Sequence, residues 1–164
     1  PEVAERIEAA VEDLDLTVKH IRTAIFGLES SRGRTVNGTR AEVVSLCREA
    51  AGPLGFEPRV TFDGPIDATV QGTVAIDLLS AVREALSNVA RHAHASRVDI
   101  HLHVLDEVLT LEVIDDGVGL PEGLEPTGHG LRNLRDRAER HGGSFLVLPA
   151  APSGTRAEWR VPLA

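Results

Sequence analysis

One cysteine, Cys47, is all the chain offers to thiol chemistry, which excludes an internal disulfide framework and a cysteine-built zinc site. One lysine, Lys19, stands among sixteen arginines. It follows no glycine loop, so the GxxxxGK[ST] phosphate loop is excluded as well. Long apolar runs are missing. Phe145-Leu146-Val147-Leu148 is the longest clean one, far short of the ~20 residues that a membrane-spanning helix needs. No charged-then-apolar leader opens the sequence, so no signal peptide is expected. Basic charge is scarce: 17 Lys and Arg against 25 Asp and Glu leave a net charge of −8, which weighs against a dedicated nucleic-acid binder. Internal repeats and low-complexity tracts are absent too. These absences fit a reducing, cytoplasmic setting. What is present is ordinary globular composition, 42% apolar and 26% charged over 164 residues. That length suffices for a core burying roughly 70% of the unfolded surface.

Apolar residues at Ile7, Val11, Leu14, Val18, Ile21, Ile25 and Leu28 alternate in steps of four and three. This heptad seam predicts one long helix over residues 3–29 that needs partner helices to bury it. Glu5, Glu8, Glu12, Lys19 and Arg22 fall on the opposite, solvated face. The expected arrangement is half of a helical hairpin in an oligomeric bundle. Ser30–Arg40 is polar with two glycines and reads as a linker. Beyond it the signals mix. A helix is predicted at Ala41–Ala51, closed by Gly52-Pro53, then a strand at Glu57–Phe62 and a long helix at Thr73–Ala93. Strands follow at Arg97–Val104 and Val108–Ile114 around an Asp106-Glu107 turn. A glycine-rich loop covers Asp116–Gly130. A helix at Leu131–His141 ends at Gly142-Gly143, and strands at Ser144–Leu148 and Thr155–Pro162 flank a turn at Ala151–Gly154. Helices on one face of a mixed sheet make this an α+β protein, a two-layer sandwich.

Three stretches carry chemistry. In the Thr73–Ala93 helix, Val74, Leu78, Val82, Ala85, Val89 and Ala93 make the buried stripe. Glu84 and Asn88, four apart, share another face, and Arg91 and His92 continue the polar row. A carboxylate, an amide oxygen, a guanidinium and an imidazole in one column suit a hydrated Mg²⁺ and a phosphate chain, because Mg²⁺ takes oxygen ligands and keeps several waters. An ordinary i,i+4 pair on an exposed helix face explains the same residues. Second, Asp115-Asp116-Gly117-Val118-Gly119 places an acid at a strand end before two glycines, so the backbone can approach a flat ligand closely. The carboxylate can accept a hydrogen bond from an exocyclic amine, although Asp-Gly is also a common turn pair. Third, in Gly128-His129-Gly130-Leu131 glycines meet a helix start, where free amides and the helix dipole attract an anion. Four arginines (132, 135, 137, 140) against Asp136 and Glu139 leave that helix basic. Among the seven histidines, His92 and His94, and His101 and His103, lie two apart, but no third ligand has metal-site spacing. His101 and His103 read as sheet-surface residues, and His141 sits where a helix C-terminus favours positive charge.

Each stretch alone is weak. Their order is not: Glu84-x-x-x-Asn88-x-x-Arg91-His92-Ala93, then Asp115-x-Gly117-x-Gly119, then Gly128-x-Gly130-Leu131 resembles the N box and the two glycine boxes of sensor histidine kinases. These belong to the GHKL superfamily, whose Bergerat fold is shared with gyrase and the mismatch-repair MutL protein. The stretch GHGLRNLRDRAERHGG resembles the second glycine box of the NarX/DesK-type kinases, and IRTAIFGLE resembles the end of the second dimerisation helix of actinobacterial GAF-sensor members.

The resemblance implies roles residue by residue. Glu84 corresponds to the N-box acid that activates the attacking histidine, and Asn88 to the Mg²⁺ ligand. Arg91 and His92 correspond to positions near the phosphates, and Asp115 to the acid accepting from the adenine amino group. Gly117 and Gly119 line the base pocket, and Gly128, His129, Gly130 and Leu131 flank the phosphates. Thr155 resembles the threonine that helps to hold adenine through water. The implied ligands are ATP and Mg²⁺. The implied partners are a response regulator of the DNA-binding NarL type and, through the helical bundle, a second copy of the chain. The family's phosphoacceptor histidine precedes Asp or Glu on the first dimerisation helix. No such motif occurs here, and His20 does not match it. The chain therefore reads as a C-terminal fragment: residues 1–32 from the dimerisation domain, 33–40 a linker, 41–164 the catalytic ATP-binding domain. The lid expected at Leu120–Thr127 has no Lys or Arg, so phosphate charge falls to Mg²⁺, backbone amides and nearby Arg or His. Two other readings compete: an anti-sigma factor serine kinase of the same fold, and a non-catalytic module with a degenerate site.

Overall fold

A computed structural model describes residues 38–119 and 128–163. These belong to one compact unit, Asn37–Ala164. The heptad helix expected at 3–29, most of the linker and the lid at 120–127 lie outside the described residues.

Helix α1 spans Thr39–Leu54, strand β1 Arg59–Asp63, the short helix α2 Ile66–Thr69 and helix α3 Gly72–Asn88. A π-helical turn, Val89–Ala93, continues α3. Strands β2 (Val98–Leu105) and β3 (Val108–Asp115), helix α4 (His129–Arg140) and strands β4 (Ser144–Pro149) and β5 (Thr155–Pro162) complete the order. The sheet runs β1-β2-β3-β5-β4. β1 is parallel to β2, with a register that runs from Arg59 opposite Asp99 to Asp63 opposite His103, and every other neighbour is antiparallel. The architecture is the expected mixed sheet.

Alternation explains which face is covered. Val98, Ile100 and Leu102 of β2, Leu109, Leu111 and Val113 of β3, and Trp159 and Val161 of β5 are buried. They meet Val43, Leu46 and Cys47 of α1, Leu78, Val82 and Ala85 of α3, and Leu134 and Ala138 of α4. The outer face carries most of the sheet's polar side chains. His101 shares a 2.6 Å hydrogen bond with Thr61, and Arg156 bridges Glu112 and Glu158. The single tryptophan, Trp159, donates its indole N–H to the Leu134 carbonyl at 3.1 Å and so fixes α4 against β5. Cys47 is buried, and burial, with the Glu57 charge, pushes its thiol up to about 11, which makes it an inert core residue.

Four expectations need correction. Helix α1 starts at Thr39, inside the predicted linker, and runs to Leu54 with Pro53 in its last turn. Gly55, not Gly52, takes the left-handed conformation that stops it, and its N–H bonds the Ala51 carbonyl at 2.9 Å. Arg40 is held there because its guanidinium donates to the Gly64 carbonyl at 2.6 Å and lies over the Phe62 ring. The first strand begins at Arg59, two residues later than expected, and α2 was not anticipated. The Thr73–Ala93 helix is not α-helical throughout, because its last five residues form the π turn. The last helix begins at His129, so Gly130 is helical and not part of a loop.

Candidate functional site

Most of the sequence-predicted residues fall into two groups. The first surrounds Asp115, the last residue of β3. Its side chain is buried, and its Oδ1 accepts the Gly117 N–H at 2.9 Å and the Thr155 N–H at 3.3 Å. Both bonds use one oxygen; among the described residues Oδ2 has no hydrogen-bond donor. Burial pushes the Asp115 carboxyl up, and the two N–H groups partly offset this by favouring the charged form. Gly117 packs so tightly on the Ala93 carbonyl that a β-carbon there would overlap it. The Val118 N–H bonds that same carbonyl at 2.8 Å. The π turn thereby delivers a carbonyl to the loop after β3. Gly119 lies against the Gly154 backbone, in the turn that carries Thr155.

The second group lies where α3 meets α4. Glu84 and Asn88, one turn apart and half-buried, both face Gly130. A β-carbon on Gly130 would displace the Glu84 carboxylate and sit 3.5 Å from Asn88 Oδ1, so glycine lets both side chains approach the start of α4. Gly128, the residue before α4, has no side chain to cap the first amides of the helix. The first backbone bond to form is Arg132 N–H to the Gly128 carbonyl, at 3.1 Å.

The expected polar column is therefore split. Arg91 and His92 sit in the π turn and are exposed, whereas Glu84 and Asn88 are half-buried. The wider π turn displaces them from the α-helical i+3 and i+4 positions that the sequence spacing assumes. Among the described residues no hydrogen bond or ion pair ties Arg91, His92 or His129 to either group. Leu131 packs on the core. Thr155 contributes its backbone N–H to Asp115.

Two residues that bear on the site went unread. Asp116 is exposed, yet it accepts from Ser96 N–H and Arg97 N–H at 2.8 Å each and from Ser96 Oγ at 2.6 Å. These donors, the Ser96 hydroxyl first, hold its carboxyl below the usual carboxylate range. Asp77, buried in α3, binds Arg137 at 2.5 Å, Arg140 at 3.1 Å and His141 Nε2 at 2.8 Å, all at the far end of α4. Asp77 lies on the same helix face as the predicted apolar stripe. That an acid sits there is the one sequence signal that could have found it.

A mixed sheet with its helices on one face and a site at one end of α3 is the architecture of an ATP-binding domain of the kinase and gyrase class. The chain belongs to that family: residues 73–164 match the histidine kinase-, DNA gyrase B- and HSP90-like ATPases. It is 36% identical to the sensor histidine kinase LiaS of Bacillus subtilis, over 91% of this chain and 44% of LiaS. It is 33% identical to the sensor histidine kinase NarS of Mycobacterium tuberculosis, over 97% of this chain and 37% of NarS. The chain thus spans less than half the length of either relative. Among solved structures, the histidine kinase domain of an Erythrobacter litoralis blue-light activated histidine kinase superposes with a TM-score of 0.65 at 22% identity. That match covers 78% of this chain and 62% of that one. The ATP-binding domain of PrrB from Mycobacterium tuberculosis gives a TM-score of 0.61 at 22% identity, over 78% and 96%.

Proposed function

We propose that the chain is the catalytic ATP-binding part of a sensor histidine kinase, which holds Mg-ATP for phosphoryl transfer to a histidine and relay to a response-regulator aspartate. The observation that carries this reading is Asp115. It is a buried carboxylate with one oxygen fixed by two backbone N–H groups and the other open to a donor such as an exocyclic amine. Glycine-lined walls beside it suit a flat base. The uncapped start of α4 suits the phosphates.

The donor set fits Mg²⁺. Glu84 and Asn88 bring a carboxylate and a neutral amide oxygen to the α4 start, the oxygen donors that Mg²⁺ takes. When bound, the ion would neutralise phosphate charge, with Asn88 as its protein ligand. Glu84 would orient and polarise the incoming histidine. Positioning and charge stabilisation are what this reaction asks of a protein. Sensor names among the relatives favour this reading over the anti-sigma one. The wider reading is a cytoplasmic kinase core that dimerises through residues 1–32, is joined by a linker at 33–40 to a catalytic domain at 41–164, and serves a NarL-type regulator. Among the described residues no helix is long and apolar enough to cross a membrane.

Calorimetric titration tests the site. The chain is expected to bind ATP with Mg²⁺. Asp115→Ala should weaken ATP about 10–150-fold, since a charge-assisted hydrogen bond contributes roughly 1.5–3 kcal/mol. An unchanged affinity in that variant would remove Asp115 from the site.

A further inference from the structure

Asp115 and Asp116 are adjacent in sequence and opposite in environment. Asp115 is buried with a free oxygen. Asp116 is exposed, and both of its oxygens are engaged. Every polar group of Asp116 is turned onto the segments that frame its neighbour. Its carboxylate binds the Ser96 and Arg97 amides and the Ser96 hydroxyl. Its own N–H donates to the Arg97 carbonyl at 3.3 Å, and its carbonyl accepts from Ser153 Oγ at 3.3 Å.

These bonds lie just past the end of the β2–β3 ladder, whose last pair is Val98 with Asp115. Beyond that pair the sheet no longer dictates where the chain goes. Two anchors do so instead: Asp116 on Ser96 and Arg97, and Val118 N–H on the Ala93 carbonyl. Between the anchors lies Gly117, whose N–H orients Asp115 Oδ1. Ser153 precedes Gly154 and Thr155, and the Thr155 N–H supplies the other bond to Oδ1. Asp116 therefore stands behind both donors that aim the Asp115 carboxylate.

We infer that Asp116 is a positioning residue that sets base selectivity through Asp115 without touching the nucleotide. The inference rests on the reading of Asp115 as the base-recognising acid. Truncating Asp116 would free its three donors to water at an exposed site, so the fold survives, but the Asp115–Gly117 turn loses its fixed place. The carboxylate would then meet an exocyclic amine less often in line. Selectivity for adenine, which offers that amine where guanine offers a carbonyl, should fall more than stability. Asparagine keeps an oxygen for the two amides and can donate its N–H to Ser96 Oγ, so it should rescue.

The test is titration of the 164-residue chain with ATP and with GTP, each with Mg²⁺, for the wild type and for Asp116→Ala, Asp116→Asn, Ser96→Ala and Asp115→Ala. Thermal melts without nucleotide accompany each titration. Asp116→Ala should lower the ATP-to-GTP affinity ratio about tenfold, the scale of one charge-assisted bond, with its melting temperature near that of the wild type. Ser96→Ala should lower the ratio about threefold by the same arithmetic, and Asp116→Asn should restore it. An unchanged ratio in Asp116→Ala, or in Ser96→Ala if the first variant does not fold, overturns the inference while Asp115→Ala still reports on the site. A wild-type chain that ignores ATP, or an Asp115→Ala variant with unaltered selectivity, overturns the underlying reading and the inference with it.

Discussion

At the scale of single residues, the two aspartates act on stability in opposite directions. Burial raises the Asp115 carboxyl above its ordinary value of 3.8, so the ionised side chain opposes folding once pH exceeds that value. Whatever stability the protonated form provides is complete below 3.8 and is lost as pH rises through the raised folded value. Asp116 has the reverse sign: its lowered carboxyl contributes stability above 3.8 that is lost as pH falls through the folded value. Asp115→Asn keeps an oxygen for the Gly117 and Thr155 amides and removes the buried charge. It is expected to make the domain more stable than the wild type at pH 7, and the difference should shrink below pH 3.8, where both side chains are neutral. Urea unfolding at pH 7 and at pH 3 measures this. A variant that is less stable at pH 7 would show that the two amides outweigh burial. The same substitution should weaken ATP, as expected where a binding site carries a group that costs stability.

Among elements, the pairing of α3 with α4 decides the geometry. Asp77, near the start of α3, meets Arg137, Arg140 and His141 at the end of α4. Glu84 and Asn88, near the end of α3, meet Gly130 at its start. The helices therefore run antiparallel, and the ionic cluster holds the end of α4 away from Gly130. Asp77→Ala should cost about 3 kcal/mol, because half-buried Arg137 would lose its countercharge and half-buried His141 its hydrogen-bond partner. Arg140→Ala should cost under about 1 kcal/mol, since that side chain is 60% exposed. Denaturant midpoints at constant slope separate the two; equal losses would mean that the cluster is not divided as its burial indicates. Apart from the acid on the apolar stripe, this cluster left no mark in the sequence. An aspartate on an apolar stripe makes sense only once residues sixty positions away are brought to it. The strands were legible, β2, β3, β4 and β5 to within a residue at either end, because side-chain alternation is local. Pro53 and the π turn were misread because the expected boundaries assumed that a proline ends a helix at once and that α-helical spacing holds to the last residue.

For the molecule as a whole, α3 with its π turn is the rail on which both groups are mounted. Asn88 and Ala93 are five residues apart on it, roughly 7 Å at helical rise, and each touches a different group. The order of the three motifs made this assembly legible in outline. The division of labour within it was not, because Glu84, Asn88, Arg91 and His92 look alike as a polar row until the π turn separates them. Glu84 and Asn88 still approach the same glycine, so their roles must be separated by chemistry. Asn88 is a neutral oxygen donor that would suit a hard cation, whereas Glu84 is the acid suited to polarising a nucleophile. Asn88→Ala should therefore abolish most of the gain in ATP affinity that Mg²⁺ confers. Glu84→Gln should leave that gain within about threefold, a loss under 1 kcal/mol. In a full-length parent, Glu84→Gln should stop transfer to histidine while nucleotide still binds. Titrations with and without Mg²⁺ on the two variants of this chain decide between them. A Glu84→Gln variant that loses the Mg²⁺ effect, beside an Asn88→Ala variant that keeps it, would reverse the assignment and make the carboxylate the metal ligand.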